Sequence, residues 1–197
     1  IGGSVSNIFS AHNLPRYSET LIGDKQEPLN FMIVAKDDNS LIDSFEKSGW
    51  YLADSIGFIS LSKMARAAFL NGGYPTAPMT PSFWNMEVNA LGFEKPTIAK
   101  SIKERHHIRF WNTNLISQDG KKIYVGTASL DKKIKWGLTH QINPDIDTER
   151  EFILNDLKES GVMENYKKAQ FVDPILGTNF AGDLFFTDGE GYVVYFE

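Results

Sequence analysis

The stretch Arg105-His106-His107-Ile108-Arg109-Phe110-Trp111 opens the part of the sequence that decides the fold. It begins a strand-like run that reaches about Leu115, and a Ser-Gln-Asp-Gly turn follows at residues 117–120. Asp-Gly between alternating runs is a strong hairpin signal. A second strand is predicted from Lys122 to Leu130 and a third from Lys133 to Ile142. This region therefore indicates an antiparallel β-meander.

Helical patterns lie on both sides of this meander in the chain. An apolar run at 29–35 predicts a buried strand, and capping residues with Gly49 predict a helix over 39–48. Further predicted elements are a helix over 61–70, a helix from Asn143-Pro144-Asp145 to Ser160, and a terminal strand from Tyr192 to Phe196. The fold class expected is α+β, an antiparallel β-meander sheet with packed helices in a single compact domain at 29–197, after an extended lead-in at 1–28.

Composition excludes several classes of protein and of site. The 197 residues are 42% hydrophobic, and 20 basic against 25 acidic side chains give a net charge of −5, which disfavours a general binder of nucleic acid or anionic membrane. The absence of cysteine excludes disulfides, thiolate metal sites and cysteine nucleophiles. No apolar run approaches the ~20 residues that span a bilayer. Because the chain begins with Ile1, we expect a longer protein whose other part holds a signal or membrane anchor.

Strand alternation sorts the polar residues of the meander. It places His106, Ile108 and Phe110 on one face of the first strand, and the two histidines point in opposite directions. A turn of two or four residues pairs even positions of the first strand with odd positions of the second, which predicts that Ile123 and Val125 share the core face. The opposite face is predicted to be solvated.

The core-side histidines suggest acid/base or metal chemistry. His106 is expected beside Asp131, as a histidine oriented by a carboxylate or as a buried histidine that the acid simply satisfies. His140 is expected opposite Val125, roughly 20 Å from His106 at ~3.3 Å per residue, which disfavours a metal site made of both. A structural role is the alternative for His140.

The solvated face gathers positive charge. Arg105, His107 and Arg109 are predicted to lie near Lys133 and Lys135, a local basic patch suited to a phosphate or carboxylate. The alternatives are a solvated face or salt bridges to acidic helices, and Trp111 on the same face has the alternative of covering a helix.

The acids Asp145, Asp147 and Glu149 form a cluster at the start of the last predicted helix. Acids in the first turn are favoured by the helix dipole, which is the structural explanation for the cluster. Arg150 is placed to pair with one of them across the helix surface.

The chain resembles the LssY C-terminal domain family of bacterial proteins in residues spread over nearly its whole length. They are Leu14-Pro15-Arg16-Tyr17, Gly23, 26–30, Gly49-Trp50, Arg105 to Trp111, Tyr124 to Ala128, Asp131, Thr139 to Ile142, Asp147 to Arg150, Gly182-Asp183 and Thr187 to Gly189. The resemblance implies a membrane-tethered soluble domain and, by association with lipid phosphatase segments, phosphorylated ligands. It carries over Arg105, His106, His107, Arg109, Trp111, Asp131, His140, Asp147, Glu149, Arg150 and Asp188. The family's usual Gly-Arg-x-x-Asp element is replaced here by residues 83–89.

Three functions are therefore expected in competition. The first is anion binding by Arg105, His107, Arg109 and Lys135, with Trp111 and Arg150, in a membrane-anchored protein whose domain is extracytoplasmic. Its partner would be an anionic small molecule or lipid head group and not nucleic acid, and the membrane would be reached through a missing segment. The second is a hydrolase that uses His106, His107, Asp131 and His140, with the metal requirement open and no cofactor assigned. The third is a structural interaction domain.

Overall fold

The computed structural model describes residues 5–53, 79, 82–97, 105–135, 139–179 and 182–197. Its helices are α1 (Val5–Ala11), α2 (Asp38–Lys47) and α3 (Ile146–Glu159) within those ranges. Its strands are β1 (Tyr17–Glu19), β2 (Lys25–Pro28), β3 (Phe31–Ala35), β4 (Tyr51–Leu52), β5 (Phe83–Trp84), β6 (Glu87–Val88), β7 (Leu91–Pro96), β8 (Arg105–Ile116), β9 (Lys122–Lys135), β10 (Thr139–Ile142), β11 (Met163–Gln170), β12 (Ile175–Thr178), β13 (Leu184–Thr187) and β14 (Glu190–Phe196). The helix predicted at 61–70 lies outside the described residues.

An eight-stranded sheet organises the domain. Its strands run in the order β11-β14-β3-β9-β8-β7-β4, and β10 pairs with β9. The pairing of β14 with β3 is parallel, and the other pairings described in this sheet are antiparallel. Two smaller sheets, β2-β1-β5-β6 and β12-β13, complete the strands. The α+β class with mainly antiparallel pairing is therefore observed.

The central strands of the main sheet are covered on both faces, which corrects the solvated face that was predicted for β8. Apolar residues of α2 and α3, including Phe45 and Leu154, cover one face and form the first core. Phe9 of α1 and Trp84 of β5 cover the other face and form the second core. All five residues of β3 are buried because both faces of this strand are covered. A strand in that position is typically apolar throughout, which explains its continuous apolar run. The lead-in therefore supplies core residues, and it contains a helix and two strands.

The β8-β9 hairpin has a different register from the one predicted. Ile116 pairs with Lys122, so the connecting loop holds the five residues 117–121. Ile108 pairs with Ala128 and Phe110 with Gly126, so even positions face even positions. A difference of one residue in a loop moves a whole strand to the opposite face. Ile123 and Val125 consequently lie in the second core, away from Ile108 and Phe110.

The third strand of the meander is also shifted. β9 continues to Lys135, so the strand predicted from Lys133 is wrong, and β10 begins at Thr139. The backbone of His140 pairs with Ile134 and not with Val125.

This shift separates Lys135 from the basic patch predicted around it. Arg105, the first residue of β8, pairs with Asp131, and Lys135 pairs with Thr139 farther along β9. Lys135 is therefore not level with His107. The predicted roles of the Lys135 and His140 side chains stay predictions, because those side chains lie outside the described part of the structure.

Candidate functional site

β8 places His106 and His107 on opposite faces of the main sheet, as strand alternation predicts. His106 meets Glu149 of α3, whereas His107 meets Ser129 of β9 on the other face. We call these sides the His106 face and the His107 face. The two histidines therefore belong to two separate sites, and a double-histidine centre does not form.

A chain of short polar contacts surrounds His107. Its Nε2 lies 2.7 Å from Oγ of Ser129, and its Nδ1 lies 3.4 Å from Oδ1 of Asp131. The Ser129 hydroxyl donates to Oε2 of Glu27 at 3.2 Å. Ser129 is the cross-strand partner of His107, and Asp131 lies two residues further on the same face of β9. The predicted pairing of Asp131 with His106 is wrong for this reason.

The contacts resemble a serine–histidine–aspartate arrangement, but the protonation of His107 opposes that role. Burial and the charge of Arg109 disfavour the imidazolium, yet the carboxylates of Asp131 and, to a smaller extent, Glu27 together more than offset them and raise the pKa of His107 above its ordinary value. An imidazolium donates from both nitrogens, to Asp131 and to Ser129, so it cannot take a proton from the Ser129 hydroxyl. Ser129 is also fully buried. The arrangement is therefore a buried hydrogen-bonded chain rather than an activated nucleophile.

Arg105 is committed to an ion pair inside the protein. Its guanidinium contacts the carboxylate of Glu94 on β7, and the two side chains are 5% and 8% exposed. Burial raises the pKa of Glu94 to about 7, against the opposing effect of Arg105. The pair is thus close to losing its negative member at neutral pH. Arg105 is part of a buried cluster and not of a solvated basic patch.

Arg109 differs from Arg105 in its partners. It is half-buried and lies on the His107 face, with Thr127 opposite on β9. Its Nε is buried without a hydrogen-bond partner, and its charge acts on His107. A buried donor left unpaired costs about 1–3 kcal/mol, so an acceptor is missing at this position.

On the opposite face, His106 is held between a carboxylate and an aromatic ring. Its Nδ1 lies 2.7 Å from Oε2 of Glu149, and its ring stacks on Phe152 with centroids 3.9 Å apart and planes at 14°. The His106 side chain is 14% exposed and that of Glu149 is 2% exposed. Burial raises the pKa of Glu149, and the contact with His106 counters this effect. Glu149 therefore fixes His106 in orientation.

Lys95 of β7 stands beside this pair. It is the cross-strand partner of His106, and its Nζ lies 2.6 Å from Oδ2 of Asp156. The same ammonium lies 5.7 Å from the ring centroid of Phe152 and 6.0 Å from that of Trp50. The His106 face thus combines a histidine, a cation and two aromatic walls.

The remaining predicted ligand residues have structural partners. The Arg150 side chain, 2% exposed, donates to Asp147, Asp188 and Glu151. This bears out the predicted pairing of Arg150 with acids across its own helix, and it leaves the guanidinium neutralised. Trp111 is 1% exposed and packs in the second core. Arg150 is therefore not arranged to meet an external anion, whereas Nε1 of the buried Trp111 has no hydrogen-bond partner among the described residues.

Sequence reasoning missed the partners supplied by β7 and by the lead-in. Residues 83–93 carry aromatics without clear periodicity, so β7 was not predicted, and its Glu94 and Lys95 were overlooked. Glu27 was assigned to an extended lead-in. The turn of the β5-β6 hairpin gave only a weak signal, because Asn85 tolerates the positive φ that it adopts whereas Met86, which also adopts a positive φ, does not favour it.

The described residues contain neither a cluster of metal ligands nor a membrane-spanning helix. Within those ranges, no three His, Asp or Glu side chains are grouped so as to hold a metal ion. No helix in the described part of the chain is long and apolar enough to cross a membrane.

Comparison with known proteins identifies the family. No curated protein and no solved structure matches the chain. The family model described as LssY C-terminus matches residues 11–190, which include both histidine faces, β7 and α3. The chain belongs to the LssY C-terminus family.

Proposed function

We propose that this domain binds a phosphate-bearing or similar anionic ligand on the His107 face, with Arg109 as the main contact. The observation that supports this most directly is the buried Nε of Arg109, which has no hydrogen-bond partner. A guanidinium offers a planar fork of donors that matches phosphate and carboxylate oxygens. A bound anion would supply the missing acceptor.

The charge balance around Arg109 supports the same ligand class. Three cationic groups, Arg105, His107 and Arg109, face the carboxyl groups of Glu27, Glu94 and Asp131. Burial raises the pKa of Glu94 to about 7, so that this carboxyl group is uncharged in about half of the molecules near pH 7, and the pKa of His107 is raised, which favours the imidazolium. Both shifts move the charge of the His107 face towards positive, which favours an anion.

This site has fewer ligand-contacting residues than the one predicted from the sequence, with Arg109 as the main contact. Arg105 and His107 support it from behind, because Nη1 of Arg105 donates to Glu94 and His107 contacts Ser129 and Asp131. Nε of Arg105 is buried without a hydrogen-bond partner in the described part of the chain, like Nε of Arg109, but Arg105 is already paired with a carboxylate. The backbone of Lys135 pairs with Thr139, farther along β9 than this site. The membrane tether and the extracytoplasmic position, which rest on the family resemblance, remain proposals, as do the two other functions. For a hydrolase that uses His107 and Asp131, the imidazolium state of His107 is unfavourable.

Calorimetric titration with inorganic phosphate and with glycerol 3-phosphate tests the proposal. Arg109→Gln should weaken binding at least about 10-fold, because hydrogen bonds to charged groups contribute about 1.5–3 kcal/mol. Lys167→Gln removes an exposed charge from β11 and serves as the matched control, with unchanged binding. Equal affinity of wild type and Arg109→Gln, or no binding by the wild type, would contradict the proposal and favour the structural interaction domain.

A second arm distinguishes the source of the phosphate. Phosphatidylcholine vesicles with and without phosphatidic acid are mixed with the protein and sedimented. Binding to phosphatidic acid vesicles that inorganic phosphate displaces assigns the site to a lipid head group. Binding of glycerol 3-phosphate without vesicle binding assigns it to a soluble phosphoester.

A further inference from the structure

We propose that the His106 face is a second, catalytic site, in which His106 acts as general base in the hydrolysis of neutral carboxylic esters or lactones. It is distinct from the anion site, since it lies on the opposite face of the main sheet. The inference rests on the contacts of His106, Glu149, Lys95 and Phe152, and it does not depend on anion binding at Arg109.

The orientation of His106 is the first argument. Glu149 accepts from Nδ1, at 2.7 Å, which leaves Nε2 as the nitrogen that accepts a proton. The stacking of His106 on Phe152 restricts rotation of the imidazole. A base held in one tautomer and one plane is the arrangement that general base catalysis needs.

The second argument concerns the unused atom of the carboxylate. Oε1 of Glu149 is buried and has no hydrogen-bond partner among the described residues. Structural polar pairs in protein interiors normally have their hydrogen-bonding atoms satisfied. An unsatisfied carboxylate oxygen beside a partly exposed histidine therefore indicates a site that orders a water molecule.

Lys95 supplies positive charge where an oxyanion would form. It pairs directly with His106 across β7 and β8, and both side chains contact Phe152. An ammonium beside the reacting carbonyl would stabilise the negative charge that develops on its oxygen. Its ion pair with Asp156 holds the ammonium in position.

The surroundings select a neutral substrate. With His106 neutral, the charged groups among its described neighbours in these ion pairs are Lys95 and the carboxylates of Glu149 and Asp156, which leaves an excess of negative charge. A phosphate ester would be repelled, whereas an uncharged ester or lactone would not. The half-buried ring of Phe152, which packs against the core residue Trp50, favours an apolar acyl group.

The reaction balances with water as the only other reactant. Nε2 of His106 takes a proton from water while the water oxygen bonds to the acyl carbon, and the carbonyl electron pair moves to its oxygen beside Lys95. The tetrahedral intermediate then reforms the carbonyl and breaks the bond to the alkoxide, which takes the proton from His106. The products are a carboxylic acid and an alcohol, and His106 returns to its neutral form.

Steady-state hydrolysis of p-nitrophenyl butyrate and of γ-butyrolactone by the full chain tests the inference. His106→Ala should lower kcat by roughly 10²- to 10⁴-fold, the usual contribution of a general base. His106→Gln, which keeps a planar polar group against Phe152, should show the same loss and guards against a folding defect. His12→Ala replaces an exposed histidine and serves as the matched control, with wild-type rates.

Two readouts separate chemistry from structure. Free imidazole should restore turnover to His106→Ala, because it can replace the missing base. Glu149→Gln should lower kcat while KM stays within about twofold, since Glu149 orients His106 without touching the substrate. The inference is overturned if the wild type hydrolyses neither compound faster than buffer, or if folded His106→Ala retains wild-type kcat. Failure of imidazole rescue or an unchanged kcat in Glu149→Gln would also contradict it.

Discussion

Asp131 contacts His107, with Oδ1 3.4 Å from Nδ1, although the alternation-based register expected it beside His106. The relationship follows from the β8-β9 pairing, which sets Arg105 against Asp131 and His107 against Ser129. The contact with the carboxylate of Asp131 raises the pKa of His107 and so favours its imidazolium form. His106 is left to Glu149 on the other face.

Asp131→Asn should lower the pKa of His107. The carboxylate is what offsets burial and stabilises the imidazolium, so burial will dominate once the charge is removed. Titration of the histidine ring resonances by NMR measures this pKa directly. Asp43→Asn, on the exposed surface of α2, is the control. An unchanged pKa of His107 in Asp131→Asn would mean that another group supplies the charge.

Anion binding should weaken as pH rises through the pKa of His107. Protonated His107 adds positive charge beside Arg109, and that charge is lost above its raised pKa. The dissociation constant for inorganic phosphate would be measured across this range and corrected for phosphate ionisation. Asp131→Asn should move the loss of affinity to lower pH. Affinity that is independent of pH in both proteins would remove His107 from the site.

Glu94 should make the folded state less stable as pH rises from about 4.5 to 7. Its pKa is raised from 4.5 to about 7 in the folded protein, so the folded state binds the proton more tightly and the unfolded state releases it first. The contribution of Glu94 to the free energy of unfolding is therefore fully present below pH 4.5 and lost by pH 7, by roughly 3 kcal/mol. Urea unfolding at several pH values gives the free energy of unfolding as a function of pH. Between pH 4.5 and 7 this free energy should fall less steeply with pH for Glu94→Gln than for the wild type.

The control for Glu94→Gln is Glu46→Gln, an exposed position on α2 that should keep the wild-type slope. Glu94→Gln also leaves the Arg105 guanidinium without its carboxylate, so its stability is expected to be lower overall. The slope, rather than the absolute stability, is therefore the decisive quantity. A slope identical to that of the wild type would disprove the assignment to Glu94.

Arg150→Met should destabilise the domain without changing phosphate binding. The guanidinium joins α3 to β14 and the turn before it through the carbonyl of Glu190 and the carboxylate of Asp188, and it also pairs with Asp147 of its own helix. Its loss should cost about 2–3 kcal/mol, less than breaking a fully buried pair, because Asp188 is partly exposed. Urea unfolding and calorimetry with phosphate provide the two measurements. A loss of phosphate affinity in a protein of normal stability would restore Arg150 as a ligand residue.

Elements with strong local patterns were predictable. The apolar run of β3 and the helices α2 and α3 appear close to their predicted positions, although the N-caps are Asp37, where Asn39 or Ser40 is predicted, and Asp145, where Asn143 is predicted. Periodicity and capping act within a few residues, so a sequence records them directly. Strand β11 was missed because it is an exposed edge strand with no apolar alternation.

The composition of the candidate sites depends on contacts between residues that are far apart in the sequence. The opposite directions of His106 and His107 follow from alternation alone and were predicted. Their partners required the five-residue loop before Lys122, the docking of α3 and the existence of β7. A one-residue change in loop length transfers a carboxylate from one histidine to the other. Spacing could therefore name the histidines but not the acids that contact them.

The most direct test of the anion site is an NMR titration of the histidine rings with glycerol 3-phosphate at constant pH. We expect saturable shifts of the His107 resonances and a further rise of the pKa of His107, because the ligand adds negative charge near Arg109. The His106 resonances should stay unchanged, since that ring lies on the other face of the sheet. Shifts confined to His106, or no shift of His107 at saturating ligand, would contradict anion binding on the His107 face.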